Sequence, residues 1–477
     1  MNRGEKQMKK NTVRVTFFIL LIAMLVGCSN SGNNAIQSGN EKESPTASQA
    51  ASPQQAAPTE VTFWHVMGGA NGESLDAIVE QYNNTVGKDR GIHVTSVYQG
   101  TELMPKIKTV VQVDDTKNMP DIALVQGFDL TYMSELSYLK WAEDLMQENP
   151  DGIQKKDLFP NSIEMVSYQD RLMGVPFSNS AILLYYNKDM FREANLDPEK
   201  SPETITELAD YAAKLTVKDG DQITRHGLVL VPDRWHISNW IGMMDGGSFI
   251  GNNESGRSGK FTEAVFGVEG TMTRFLTEYD KLVKSGGLQH IDNNQREEFI
   301  AGKHAMIVQS SSRINEFTAS SKDKFELGVA PLPLVDATSN GGIAIGGGSL
   351  YTFDRGNQES IKASWDFINY VASAEVQFTW HESTGYIPVN MQTYELDTMN
   401  KHLEEKPAFN VPIDSLLASN VKVQEPFDPV PVELSAILKE VIIDFVEQKL
   451  TIDEATKEMV TRSNDALDNY YKANPIQ

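Results

Sequence analysis

Apolar and polar positions follow two different periods along the first folded stretch of the chain. Glu60-Val61-Thr62-Phe63-Trp64-His65-Val66 is apolar and β-prone, and Gly68-Gly69 follows it, so a strand and its turn are predicted there. Leu75, Ile78, Val79 and Tyr82 then keep the i, i+3, i+4, i+7 spacing of an amphipathic helix. A strand over 92–98, a helix over 105–113 and a short buried strand, Asp121-Ile122-Ala123-Leu124-Val125, continue the series. Strands that alternate with helices predict an α/β architecture with a mostly parallel sheet.

A second region repeats the theme without repeating the sequence. Gly174-Val175-Pro176-Phe177 leads into a predicted strand, Ile182 to Tyr186. A helix starts near Pro202, where Thr204 and Glu207 have the spacing of a capping box, and Leu208, Ala209, Ala212 and Leu215 make its apolar face. Met272, Phe275, Leu276, Tyr279, Leu282 and Val283 predict another helix that ends at Ser285-Gly286-Gly287. Leu434, Ile437, Leu438, Val441, Ile442 and Phe445 predict one near the end, and Thr451 with Glu454 caps the last. No internal period of 20 to 50 residues is present.

The N-terminus has a different character. Arg3, Lys6, Lys9, Lys10 and Arg14 precede the apolar run Phe17 to Leu25, which is shorter than the roughly 20 residues a spanning helix needs. This is the pattern of an export signal. Leu25-Val26-Gly27-Cys28 resembles the lipobox of bacterial lipoproteins, which implies cleavage before Cys28 and a diacylglyceryl group on its sulfur. Residues 1–27 are therefore expected to be a signal peptide, and the acyl chains at Cys28 the only membrane attachment. Residues 28–58, rich in Ser, Asn, Gly, Gln, Ala and Pro, carry too little apolar surface to fold and are expected to be a tether.

The chain has 477 residues, 40% of them hydrophobic, which is enough for two or three domains with real cores. Its 42 Lys+Arg against 65 Asp+Glu give a net charge of −23, so nucleic acid is not an expected partner. With one cysteine no internal disulfide can form. Signatures of an extracellular hydrolase are weak. His381-Glu382 lacks the second histidine of a zinc protease, and the eight histidines have no metal-ligand spacing. Gly256-Arg257-Ser258-Gly259-Lys260 resembles part of a phosphate loop, but Phe261 stands where Ser or Thr must bind magnesium, so it reads as a surface turn. Gly346-Gly347-Gly348-Ser349 lacks the frame of a nucleophile elbow. A pair of glycosidase carboxylates has no spacing rule, which leaves carbohydrate hydrolysis as the alternative outside binding.

Six stretches, in order, carry a resemblance that spans nearly the whole chain after Val61. They are Phe63-Trp64-His65 with Met67-Gly68-Gly69; Pro176-Phe177 leading to Tyr185-Tyr186-Asn187-Lys188-Asp189; Leu208 to Leu215; Gly302-Lys303-His304-Ala305-Met306; Ile345 to Leu350; and Thr384-Gly385-Tyr386-Ile387-Pro388. Together they resemble the family 1 extracellular solute-binding proteins of ABC importers, most of all the glycerol-3-phosphate-binding and sugar-binding lipoproteins. The resemblance implies a two-lobed α/β fold that closes on ligand by a hinge. It places the first lobe at 59–177 and 326–373 and the second at 178–325 and 374–477. It implies a monomer without cofactor, metal or catalysis, held at the extracytoplasmic face of the membrane, with permease subunits as partner. The ligand is a carbohydrate or glycerophospho-compound, with a peptide or other organic solute as the alternative.

Ligand contacts implied by the same resemblance are Trp64, Asn179, Ser180, Trp235, Ser310, Ser311, Gly346, Gly347 and Tyr386. Hydroxyls and exposed backbone N–H groups suit ligand oxygens, and the rings suit a sugar face or a choline cation. Each has a structural use as well: Trp64 lies in an apolar strand, Tyr386 beside Gly385 can brace a turn, and the serines can cap a helix near Arg313. Three departures point away from glycerol-3-phosphate itself. Ser435 stands where the family has a phosphate-facing arginine, Glu102-Leu103 replace a tyrosine-glutamate pair, and Gly127 replaces a second cleft glutamate. Arg234 and Arg313 could replace the lost charge, although each reads more simply as a solvated surface residue.

Overall fold

The computed structural model describes residues 57–230, 233–247, 250–268 and 270–475. The expected signal peptide, Cys28 and the tether up to residue 56 lie outside the described residues.

The first sheet is built from β1 (Thr59–His65), β2 (Ile92–Tyr98), β3 (Ile122–Gln126) and the short β4 (Leu139–Lys140). A hairpin, β5 (Ser167–Tyr168) and β6 (Arg171–Leu172), precedes β7 (Val175–Ser180), the last strand before the chain changes sheets. The second sheet holds β8 (Ile182–Asn187), β9 (Val217–Asp219), β10 (Gln222–Val229), β11 (Leu288–Gln289), β12 (His304–Ser310) and β13 (Leu327–Pro331). The chain then returns with β14 (Gly346–Phe353), so the orders are β2-β1-β3-β14-β4, with β7 beside β14, and β11-β10-β12-β8-β13, with β9 beside β10. In each sheet the strands that run through βα units pair in parallel, as β1 does with β2 and β3, and β10 with β11 and β12. The crossing strands break that pattern: β14 is antiparallel to β3 and β7, and β8 to β12 and β13. This is the two-lobed α/β architecture.

Local signals produced these elements by the mechanisms expected of them. Helix Gly69–Asn84 buries Leu75, Ile78, Val79 and Tyr82 against the first sheet. Thr204 Oγ1 accepts from the Glu207 N–H at 3.2 Å and starts helix Ile205–Leu215. Thr451 and Glu454 form a reciprocal capping box on helix Ile452–Ala473. Helix Thr271–Lys284 stops at Ser285 because Gly286 takes a positive φ of 69°.

Two expectations need correction. Strand β13 pairs with β8 along Leu327↔Asn187 to Pro331↔Leu183, so the second sheet extends past residue 326 and the return to the first sheet runs through 332–345. Gly256 and Arg257 are not on the surface. Both are buried, because the chain turns inward there.

The passage from β7 to β8 is a single residue, Ala181, fully buried. Its N–H donates to Ser311 Oγ at 3.1 Å, and its carbonyl accepts from the Ser311 N–H at 2.8 Å. A further segment joins here, since the Ile387 N–H donates to the Asn179 carbonyl at 2.7 Å. Behind it Trp380 stacks between Phe177 at 5.0 Å and Tyr386 at 5.4 Å. At Gly347 the strands come so close that a Cβ would lie 1.6 Å from the Ser178 carbonyl oxygen, and its φ is 114°. No L side chain fits either condition. Gly347→Ala is expected to lower stability by about 3 kcal/mol, from strain and overpacking together, in urea unfolding followed by circular dichroism.

Candidate ligand-binding cleft

The two sheets present their edges to a cavity of about 640 Å³, within the range of small-molecule sites. Its first wall comes from the end of β3, where Gln126, Gly127 and Asp129 follow the strand, and from Ser180, Gly346 and Gly347 at the crossing. The opposite wall is Asp233, Arg234 and Trp235 at the start of helix Arg234–Gly242, with Gln309 and Ser310 at the end of β12 and Ser312 and Arg313 just after it. Tyr386, Glu425 and Ser435 complete it.

Each charged group has a local reason for its place. Asp233 is the N-cap of helix Arg234–Gly242, accepting from the His236 N–H at 3.1 Å and from His236 Nδ1 at 2.7 Å. Burial works to raise its carboxyl, but His236 and the cap N–H groups outweigh burial and hold it below the usual range. Arg234, one residue on, points into the protein. Its Nη1 donates to Asp428 Oδ2 at 2.5 Å, and its Nη2 lies 3.8 Å from Glu425 Oε2. Burial raises Glu425 to about 7 and Asp129 to about 6, with Arg234 opposing burial in both. Burial also raises Asp428, against the same guanidinium. Arg313 is half-buried and pairs with Glu316 at 3.3 Å.

The sequence-derived candidates divide between this cavity and its support. Ser180, Trp235, Ser310, Gly346, Gly347 and Tyr386 line it. Asn179 and Ser311 do not. Both are fully buried one step behind it, Asn179 donating to Ser162 Oγ at 2.5 Å and Ser311 bracing Ala181. Trp64 is also elsewhere, because strand alternation turns it away from Phe63 and onto the apolar cluster around Leu103 and Ile107. Trp235 stands in the first turn of helix Arg234–Gly242. Arg234, expected as a solvated arginine, is 5% exposed and doubly matched by carboxylates.

Asp129, Asp233, Gln309 and Glu425 line the cleft without having been expected there, and Arg234 was expected only as a possible replacement charge. Only the N-cap at Asp233, which directs the turn beginning at Arg234, was a signal that could have found one of them. Three carboxylates line the cavity, so counting acids does not by itself separate binding from hydrolysis. Among the described residues no group of three His, Cys, Asp or Glu is placed to hold a metal ion.

Comparisons with known proteins agree on this architecture. A family model described as bacterial extracellular solute-binding protein matches residues 77–410. The sn-glycerol-3-phosphate-binding periplasmic protein UgpB of Shigella flexneri is 26% identical over 357 residues, covering 73% of this chain and 78% of that protein. Its Salmonella typhimurium counterpart is 25% identical over 436 residues, covering 88% and 95%. Among solved structures, UgpB of Mycobacterium tuberculosis in complex with glycerophosphocholine superposes with a TM-score of 0.71 at 17% identity, over 87% of this chain and 99% of that one. The GacH receptor of Streptomyces glaucescens, solved unliganded and with acarbose, gives 0.70 at 21% identity, over 86% and 99%.

The cluster around Arg234 has a testable pH signature. Glu425 faces Arg234, Asp233, Asp428 and Arg257, and its carboxyl lies above the usual 4.5. A raised carboxyl stabilises the fold while protonated, so its contribution is fully present below about 4.5 and lost as pH rises through about 7. Glu425→Gln is expected to flatten the fall in unfolding free energy across that window, measured by denaturant unfolding at each pH. Arg234→Met, which leaves two carboxylates buried without their cation, is expected to cost about 3–5 kcal/mol in the same assay at pH 8.

Proposed function

The chain belongs to the bacterial extracellular solute-binding proteins, and from that premise we propose that it captures a neutral, hydroxyl-rich ligand, a carbohydrate, in the cleft between its lobes and delivers it to the permease of an ABC importer. Family and fold are those of binding proteins, working outside the cytoplasm. The observation that carries the ligand class is the charge of the cavity wall. Arg234 is already matched by Asp428 and Glu425. Asp129, raised by burial against the opposing charges of Lys108 and Arg234, lines the cavity with Glu425 as an acceptor. A phosphate dianion entering this cavity meets three carboxylates against two guanidiniums that already have carboxylate partners, Arg234 with Asp428 and Glu425 and Arg313 with Glu316, and Ser435 supplies only a hydroxyl.

Sugar hydroxyls, by contrast, donate to carboxylates and exchange hydrogen bonds with Ser180, Ser310, Ser312, Gln126 and Gln309, while Trp235 and Tyr386 give apolar faces for a pyranose ring. A glycerophosphodiester is the second reading. Asp129 and Trp235 suit a trimethylammonium group, and Arg313, 39% exposed on its side chain, suits a single phosphodiester charge. In the family's manner, binding drives hinge closure about Ala181, and the closed form is what the permease recognises. Delivery is from the membrane surface, with acyl chains on Cys28 as the anchor, residues 1–27 removed, and a monomer as the working unit.

Thermal unfolding against maltooligosaccharides, monosaccharides, glycerophosphocholine and glycerol-3-phosphate tests the proposal, because a ligand at 100 times its Kd adds about 2.7 kcal/mol to stability. A rise in Tm with sugars is expected, and Asp129→Asn should weaken that ligand by roughly tenfold or more. The oligosaccharide should be recovered uncleaved by chromatography. A rise with glycerol-3-phosphate alone would overturn the charge argument.

A further inference from the structure

The buried stretch that resembled a phosphate loop does something else. Asn253, Glu254 and Ser255 have φ of 54°, 53° and 54°, and Gly256 follows at 90°, so four successive residues are left-handed. Such a run is unfavourable for L residues and persists only where surrounding contacts impose it. The contacts are visible. Ser255 Oγ accepts from the Ile250 and Gly251 N–H groups at 3.1 and 3.2 Å, and the Ser255 carbonyl accepts from the Phe427 N–H at 2.7 Å. A Cβ on Gly256 would lie 2.3 Å from the Phe427 carbonyl.

The result of this turn is the position of Arg257. Its side chain is buried. Nη1 donates to the carbonyls of Glu164 at 2.6 Å and Met165 at 3.0 Å, at the end of helix Pro160–Val166, and Nη2 to the Glu425 carbonyl at 2.9 Å. Its own carbonyl accepts from the Gln169 N–H at 3.2 Å. Helix Pro160–Val166 belongs with the first lobe, where its Ser162 holds Asn179 of β7. The loop around Arg257 belongs with the second lobe, since Ala264 and Phe261 are held by Asn464 and Tyr471 of the last helix. Lys260 adds a 2.8 Å ion pair to Glu135, which caps the end of helix Leu130–Ser134 between β3 and β4 of the first sheet.

We propose that Arg257 is a positioning residue for ligand binding: it latches the second lobe to the first and holds the Glu425 backbone so that the Glu425 side chain stays in the cavity wall. It touches no ligand. The inference rests on the cleft being the binding site, but the latch itself can be read without any ligand.

Hydrogen exchange on the ligand-free protein is the first test. The Gln169 and Phe427 amides should exchange as slowly as amides of the central strands, and exchange within seconds would overturn the latch even if no variant folded. Arg257→Met and Arg257→Lys are then compared by small-angle scattering and by titration with maltotriose and glycerophosphocholine. Arg257→Met should enlarge the ligand-free radius of gyration and raise Kd by on the order of tenfold or more for whichever probe binds. Arg257→Lys, which keeps one charged donor, should recover part of both. A folded Arg257→Met with unchanged radius and unchanged Kd would refute the proposal. If neither probe binds the wild type, the ligand reading fails while exchange and scattering still decide the latch.

Discussion

A guanidinium in a protein interior must have oxygens around it, and in this molecule one short segment supplies them to two. Asp428 and Glu425 give carboxylates to Arg234, and the Glu425 backbone gives a carbonyl to Arg257. Arg234 sits in the first turn of a second-lobe helix, and Arg257 reaches the end of a first-lobe helix. The segment 425–428 is thus held from both sides, and with it one wall of the cleft. Hydrophobic burial runs continuously between the lobes, from Phe63 and Ile122 through Phe177 and Trp380 to Tyr186 and Leu208. These polar contacts add directional ties across that shared core, because breaking a buried charge pair costs about 3–5 kcal/mol.

The crossing beside the cleft is built on the same economy of space. Ala181 alone separates the two sheets, and Ser311 satisfies both of its backbone groups. Asn179 and Gly347 complete the arrangement, one through its side chain and the other through having none. Two residues expected to meet ligand, Asn179 and Ser311, therefore brace this crossing one layer behind the cavity, while Gly347 lines it. With both backbone groups of Ala181 paired, the crossing stays buried without leaving an unsatisfied donor or acceptor.

The charge of the cleft follows from this framework and not from overall composition. The net charge of −23 belongs to the whole sequence, whereas the cavity's character comes from three carboxylates and two guanidiniums, Arg234 and Arg313, that already have carboxylate partners. A wall of that kind discriminates by what it can accept. Hydroxyls and ammonium groups gain hydrogen bonds there, and a second dense negative charge does not.

Much of the fold was legible in the chain because its causes are local. The i, i+3, i+4, i+7 spacing at Leu75 to Tyr82, the Thr204 and Thr451 caps and the glycine stop after Lys284 act within one or two helical turns, and each produced its element. The resemblance also placed Trp235, Ser310, Gly346 and Tyr386 at one cavity. What sequence could not decide was direction and burial. Trp64 turns onto the Leu103 cluster because of strand alternation in a particular sheet, and Asn179 faces Ser162 and not the opening. Arg234 reads as a solvated arginine until Asp428, 194 positions away, is folded against it. Much of the secondary structure was determined by the chain's own periodicities and caps. The chemistry of the cleft was decided only in three dimensions, because it depends on which distant carboxylates and carbonyls come to surround two buried guanidiniums.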